Sequence, residues 1–129
     1  IVDLGDHETE ATDTGGDRVP LVLVHALGLD RRMWQGVVGP LAARHRVIAY
    51  DLRGHGRAAA APANTGLDMF ADDLRLLLDR LGLAKVHLVG LSLGGSIATR
   101  FAAAWTERLH SLTIVAATAL CRPPCSRCC

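Results

Sequence analysis

Val86-His87-Leu88-Val89-Gly90-Leu91-Ser92-Leu93-Gly94-Gly95-Ser96-Ile97-Ala98 begins as an apolar run, passes through a glycine-rich turn and then changes period. The run from Lys85 to Leu91 has the unalternating apolar character of a strand buried on both faces of a parallel sheet. Beyond the turn, Ile97, Ala98, Phe101, Ala102 and Trp105 recur at helical spacing, which predicts a helix from about Gly95 to Glu107. The junction is therefore strand, sharp turn, helix, with Ser92 at its tip.

The same alternation extends upstream. Leu21-Val22-Leu23-Val24, within a strand from Val19 to His25, reads as a central strand, and Arg46 to Tyr50 as another. Asp30 is placed to cap a helix from about Arg31 to Arg44, which Gly36, Gly39 and Pro40 weaken. Phe70, Leu74, Leu77, Leu78 and Leu81 predict a helix from Asp68 to Leu81, with Gly82 at its stop. Leu112 to Val115 forms a fourth central strand. His7 to Asp13 makes a weak outer strand ending in the turn Thr14-Gly15-Gly16-Asp17, and Asp51 to Thr65 a loop. Strands alternating with helices call for an α/β fold with a doubly wound, mostly parallel sheet and right-handed crossovers.

Composition bounds the function. Of 129 residues half are apolar and 21% charged, with a net charge of +1. This is the balance of one globular domain, and it implies no nucleic-acid partner. The longest apolar stretches fall short of the roughly 20 residues that span a bilayer, so no membrane span is expected. No motif implies a cofactor or a metal.

A serine hydroxyl can act as a nucleophile when it is exposed at the carboxyl end of a strand, on a turn sharp enough to leave room for substrate. The glycines of Gly90-Leu91-Ser92-Leu93-Gly94 remove side chains that would collide there, and the following helix places its N-terminus beneath developing negative charge. At these residues the chain resembles the α/β-hydrolase family, over roughly residues 19 to 118. His25-Ala26-Leu27-Gly28 is similar to the family's His-Gly-x turn, with Ala26 in place of the glycine. Asp51-Leu52-Arg53-Gly54-His55-Gly56 looks like its D-x-R-G-H-G turn. The resemblance implies Ser92 as nucleophile and the backbone N–H groups of Leu27 and Leu93 as the oxyanion hole. It is strongest to 3-oxoadipate enol-lactonase and small esterase or haloperoxidase-like members, and it implies a small-molecule acyl substrate such as an ester or lactone. A serine at this turn argues against the aspartate-nucleophile dehalogenase and epoxide hydrolase relatives.

Other polar groups have structural readings. His25 and His55 are hydrogen-bonded turn histidines, Asp51 and Arg53 organise their loop, and Arg31, Arg32, Arg44 and Arg46 are solvated charges. The resemblance also implies an acid and then a histidine after the serine. After Ser92 the chain offers only Glu107 and His110. Glu107 ends the predicted helix, on the order of 18 Å from Ser92, and His110 precedes a strand at the opposite rim, so neither is expected in a triad.

The sequence thus divides into a hydrolase-type domain over residues 1–120, expected to lack the family's C-terminal strands and cap, and a Cys/Arg/Pro-rich tail over 121–129. Cys121, Cys125, Cys128 and Cys129 are the only cysteines. The abrupt change near Leu120 suggests a frame change or truncation, and the start at Ile1 a missing or removed beginning. A cytoplasmic location is expected. Leu112 to Val115 would form an apolar edge prone to self-association. The chain is expected to be a serine hydrolase by resemblance, inactive or nearly so as written. The alternatives are a noncatalytic binding module of the same fold and a non-functional gene fragment.

Overall fold

The computed structural model describes residues 1–116. The tail from 121 to 129, with its four cysteines, lies outside the described residues. Seven strands and three α-helices follow in the order β1 (Val2–Asp3), β2 (Glu8–Thr9), β3 (Ala11–Asp13), β4 (Pro20–Val24), α1 (Gln35–Ala42), β5 (Arg46–Tyr50), α2 (Leu67–Arg80), β6 (Val86–Leu91), α3 (Leu93–Ala104) and β7 (Leu109–Val115). Five of the strands form one sheet in the order β3-β5-β4-β6-β7. The pairs from β5 to β7 are all parallel, and β3 joins the β5 edge antiparallel. The expected mostly parallel α/β sheet is what forms.

β4 sits at the centre and is buried along nearly its whole length, which is why it needs apolar residues on both faces. Val22 and Val24 join Ile48, Tyr50 and Leu88 under Phe70, Leu74 and Leu77 of α2 and Ile97 and Phe101 of α3. Leu21 and Leu23 turn the other way, with Val47 and Ala49, against Val38 and Leu41 of α1. The two-residue period of the strands thus separates the layers.

Helix ends follow local chemistry. Gly82 has φ +69°. Its N–H donates to the Asp79 carbonyl (3.1 Å) and that of Leu83 to the Leu78 carbonyl (2.8 Å), closing α2 as a Schellman motif with Leu78 and Leu83 both buried. The helix expected over 31–44 divides: Arg31–Trp34 is a 3-10 turn, capped by the Asp30 carboxylate accepting from the Arg32 N–H, and α1 stops at Ala42. Two glycines and Pro40, which lacks a donor, leave little to propagate it.

Three other boundaries move. The outer strand over 7–13 breaks at Glu10, its first part pairing with β1 and its second with β5. The third helix starts at Leu93 and ends at Ala104, so Glu107 falls in a separate 3-10 turn, Thr106–Arg108. The last strand starts at Leu109, three residues early, so His110 lies within it. That strand is an edge with exposed Leu112, Ile114 and Val115, and its outer side pairs with nothing among the described residues. No helix of the described residues is long and apolar enough to cross a membrane.

Candidate active site

Ser92 lies where β6 ends and α3 begins, at φ 54° and ψ −115°. Positive φ is costly for a residue with a Cβ, on the order of 1–3 kcal/mol, and persists only where the surroundings impose it. Here they do. The Ser92 N–H donates to the Val115 carbonyl of β7 (2.9 Å), and its own carbonyl accepts the first bond of α3, from Ser96 (3.1 Å). The side chain is exposed, and its hydroxyl has no hydrogen-bond partner among the described residues.

The two glycines flanking the serine are required by space and not by dihedral angle. A Cβ on Gly90 would overlap the Gly94 carbonyl, and one on Gly94 would lie 2.6 Å from the Val24 carbonyl carbon and 2.7 Å from the His25 oxygen. The N-terminus of α3 therefore packs directly on the end of β4. This contact brings the Leu93 end of α3 beside the turn that leaves β4. In that turn Leu29 N–H donates to the Ala26 carbonyl (3.2 Å) and Gly28 takes φ +77°. Leu27 is exposed at its tip, and neither its N–H nor that of Leu93 meets an acceptor among the described residues. Two backbone donors thus stand on adjacent segments, that of Leu93 next to the serine at the positive end of α3 and that of Leu27 in the turn leaving β4.

The rim around them is tied together by polar groups. His25 is fully buried; its Nε2 accepts from the Leu52 N–H (2.9 Å), so Nδ1 carries the proton and donates to the Ala26 carbonyl (2.8 Å). Burial pushes its pKa below the ordinary histidine value. With both nitrogens engaged, His25 has no lone pair to offer Ser92. His55 donates to the Arg53 carbonyl (3.1 Å) and packs on His25 with ring centres 5.1 Å apart. Both are turn histidines, as their sequence context implied.

Asp51, also fully buried, accepts from the Arg31 and Arg57 N–H groups (both 2.9 Å) and from Arg31 Nη1 (2.8 Å). Arg31 is therefore not the solvated charge its sequence position suggested, because a buried carboxylate twenty residues away needs it. Arg46 departs likewise, forking onto Asp13 at 2.9 and 2.6 Å. Beneath the rim, Arg53 forks onto buried Asp73 (3.0 and 2.8 Å) and onto Asp6 (2.8 and 3.0 Å). These bonds raise the Arg53 pKa and lower that of Asp6. Asp73 was missed, although its place on the apolar face of α2 between Phe70 and Leu77 was a signal. Asp6, His7 and Asp73 each bring a potential metal ligand within 4.8 Å of the others, but the Arg53 cation already fills that role.

Glu107 is exposed in its 3-10 turn. His110 is at the start of β7, at the rim opposite Ser92, and no histidine among the described residues hydrogen-bonds the serine. Ser92 and Leu93 adjoin at the head of α3, Leu27 lies in the turn that leaves β4, the strand end on which Gly94 packs, and Glu107 and His110 lie toward the other ends of these elements.

A profile of the alpha/beta hydrolase fold matches residues 19–126. The chain is 41% identical over 109 residues to a dihydrolipoyllysine-residue acetyltransferase component of the acetoin cleaving system of Pseudomonas putida, covering 84% of this chain and 30% of that protein. It is 36% identical over 101 residues to 3-oxoadipate enol-lactonase 1 of Acinetobacter baylyi, covering 78% and 38%. Among solved structures, a thermophilic esterase from Thermogutta terrifontis superposes with a TM-score of 0.80 at 39% identity, over 92% of this chain and 43% of that one. The chain spans about a third of the length of these curated relatives. The parallel sheet, the serine turn on its central strands and the span of the profile make this chain a member of the alpha/beta hydrolase fold family.

Proposed function

We propose that Ser92 is the nucleophile of a serine hydrolase acting on a small ester, lactone or related acyl substrate. The observation that carries this reading is the backbone of Ser92, held at φ 54° between two glycines that have no room for a side chain. Its Oγ attacks the carbonyl carbon, and its proton passes through solvent water to the departing alkoxide oxygen. The alcohol then leaves, and water releases the acid from the acyl-enzyme. The Leu27 and Leu93 N–H groups meet the negative charge that develops on the carbonyl oxygen. Fixed donors of this kind are worth on the order of 3 kcal/mol each because they need not reorganise.

The proton acceptor is the weak point of this chain. Of its six histidines, His25 and His55 are engaged in turns, His7 packs beside Asp6 and Asp73, and His45, His87 and His110 cluster at the other rim. We therefore propose that these 129 residues react slowly, with a placed but unactivated serine. That same feature favours a second reading, a noncatalytic binding module that keeps the fold.

A fluorophosphonate probe and an activated ester, each applied to the parent chain and to Ser92→Ala, separate the two. Ser92-dependent labelling supports the hydrolase. Its absence in a chain that is folded by circular dichroism favours the binding module. On the same footing we propose a cytoplasmic setting, from the lack of cysteine in residues 1–120. The exposed edge of β7 is proposed to pair with a second copy. A chain that stays monomeric by light scattering at high concentration would count against that pairing.

A further inference from the structure

A trans peptide plane carries its carbonyl and its N–H on opposite edges, so whatever holds the one aims the other. The two N–H groups proposed for the oxyanion belong to such planes. That of Leu93 shares its plane with the Ser92 carbonyl, which the Ser96 N–H fixes as the first bond of α3 (3.1 Å). That of Leu27 shares its plane with the Ala26 carbonyl, which lies in a turn and has no helix or strand to hold it. The Ala26 carbonyl accepts instead from the Leu29 N–H across the turn (3.2 Å) and from Nδ1 of His25 (2.8 Å). The histidine bond is the shorter, and the ring that makes it is itself fixed.

His25 is fully buried just beyond β4, and its ring spans two turns. Nε2 accepts from the Leu52 N–H, 27 residues away, at 2.9 Å. An amide N–H can only donate and a carbonyl can only accept, so the two bonds together admit one form of the ring, neutral with its proton on Nδ1. The His55 ring lies against it, centres 5.1 Å apart, and the His25 carbonyl abuts the first turn of α3 at Gly94. A second proton would set Nε2–H against the Leu52 N–H, two donors at 2.9 Å, and the ring would have to give up Leu52 and its fixed position. Burial resists that proton most, and His55 adds to the resistance. The bond to the Ala26 carbonyl favours it, as do Asp51 just after β5 and Asp30 in the turn before α1. Residues 90–96, the end of β6 and the first turn of α3, bring no ionisable side chain of their own.

We propose, on the footing of Ser92 as the nucleophile, that His25 is a positioning residue for the reaction. Its Nδ1–H holds the Ala26 carbonyl so that the opposite edge of that peptide presents the Leu27 N–H to the oxyanion, and its Nε2 anchors the ring to the turn after β5. Loss of the Ala26 bond frees the plane to turn and withdraws one of the two donors. Protonation of the ring withdraws it as well, by breaking the Leu52 anchor.

Two substitutions divide the bonds of the ring. Asparagine can place an amide N–H where Nδ1–H stands, and glutamine an oxygen where Nε2 stands, so His25→Asn keeps the Ala26 bond and His25→Gln the Leu52 bond. In chains shown by circular dichroism to be folded, His25→Gln should react with a fluorophosphonate about ten to a hundred times more slowly than the parent, and His25→Asn should recover most of that rate. A residue that only stabilised the fold would give the reverse order, because the Leu52 bond is the one that joins distant segments. Nitrogen-15 NMR of the parent reads the same device without the serine. The His25 ring should carry its proton on Nδ1, and the Leu27 amide resonance should move with the ring as it titrates below about pH 6.5, and stand still in both variants. A parent chain without Ser92-dependent labelling counts against the hydrolase reading, and the NMR measurement then decides whether His25 sets this peptide. A ring proton on Nε2, a Leu27 amide indifferent to the titration of the ring, or a folded His25→Gln chain that labels like its parent overturns the proposal.

Discussion

Replacing glycine by alanine should have opposite effects at two positions of this chain. At Gly36, inside α1, a new Cβ meets nothing within 4 Å. The change there removes backbone freedom from the unfolded state and should stabilise by about 0.5–1 kcal/mol. At Gly94, in the first turn of α3, the Cβ would lie 2.6 Å from the Val24 carbonyl carbon and 2.7 Å from the His25 oxygen. Both neighbours are backbone of the central strand, so α3 must retreat by roughly 1 Å, at about 1–3 kcal/mol for the overpacking, which exceeds the helix-propensity gain. The same retreat carries the Leu93 N–H away from the serine. A misplacement of this size costs on the order of a hundredfold in rate. Urea unfolding followed by circular dichroism measures the first effect, and the fluorophosphonate labelling rate, in conditions where both variants are folded, measures the second. If Gly94→Ala is as stable as the parent and labels at the same rate, the close packing of α3 on β4 does not position the donor and the reasoning fails.

Arg53→Ala should destabilise by about 3–5 kcal/mol, because it strands the Asp73 carboxylate, which is 5% exposed, while Asp6 at 62% exposure regains water. Arg53→Met combined with Asp73→Leu should recover most of that loss in urea unfolding, and a double variant no better than the single would refute the pairing. Ser92→Gly should raise stability by about 1 kcal/mol in the same assay by relieving the positive φ, and should abolish probe labelling. His25 and His87 both have folded pKa values below the unfolded one, so the unfolded chain takes up protons more readily. Their stabilising contribution is complete above the unfolded value of about 6.5 and is lost as pH falls below it toward the lower folded values. Unfolding midpoints measured through that window should fall in the parent and fall less in His87→Gln.

The parts of the fold governed by local pattern were legible in the sequence. Leu21 to Val24 read as buried on both faces because β4 is central, and the α2 stripe ended at Gly82 because a Schellman motif needs a left-handed residue there. The serine turn was legible for the same reason: Gly90 and Gly94 are where a side chain would collide. Boundaries moved where neighbours override local preference. Leu93 and Gly94 read as turn, yet they are helical, because Gly94 lets the first turn of α3 pack directly on the backbone of β4. His110 and Ser111 precede the strand that the sequence predicts from Leu112, yet β6 supplies a bulged ladder that draws them into β7. The long-range ion pairs were illegible, since Arg31 with Asp51 and Arg53 with Asp6 and Asp73 span 20 to 47 residues and no periodicity records them.

The bond from the Ser92 N–H to the Val115 carbonyl has a consequence in time. The turns after β4 and β5 are complete once residues 25–57 have been made, but the serine turn waits for a strand that ends at Val115. At about 5–20 residues per second of synthesis, that is a delay of roughly one to five seconds after Ser92 itself is added. On a ribosome the strained backbone is therefore imposed late, on a rim already assembled, and a nascent chain halted before Val115 should present a relaxed serine that a fluorophosphonate passes over.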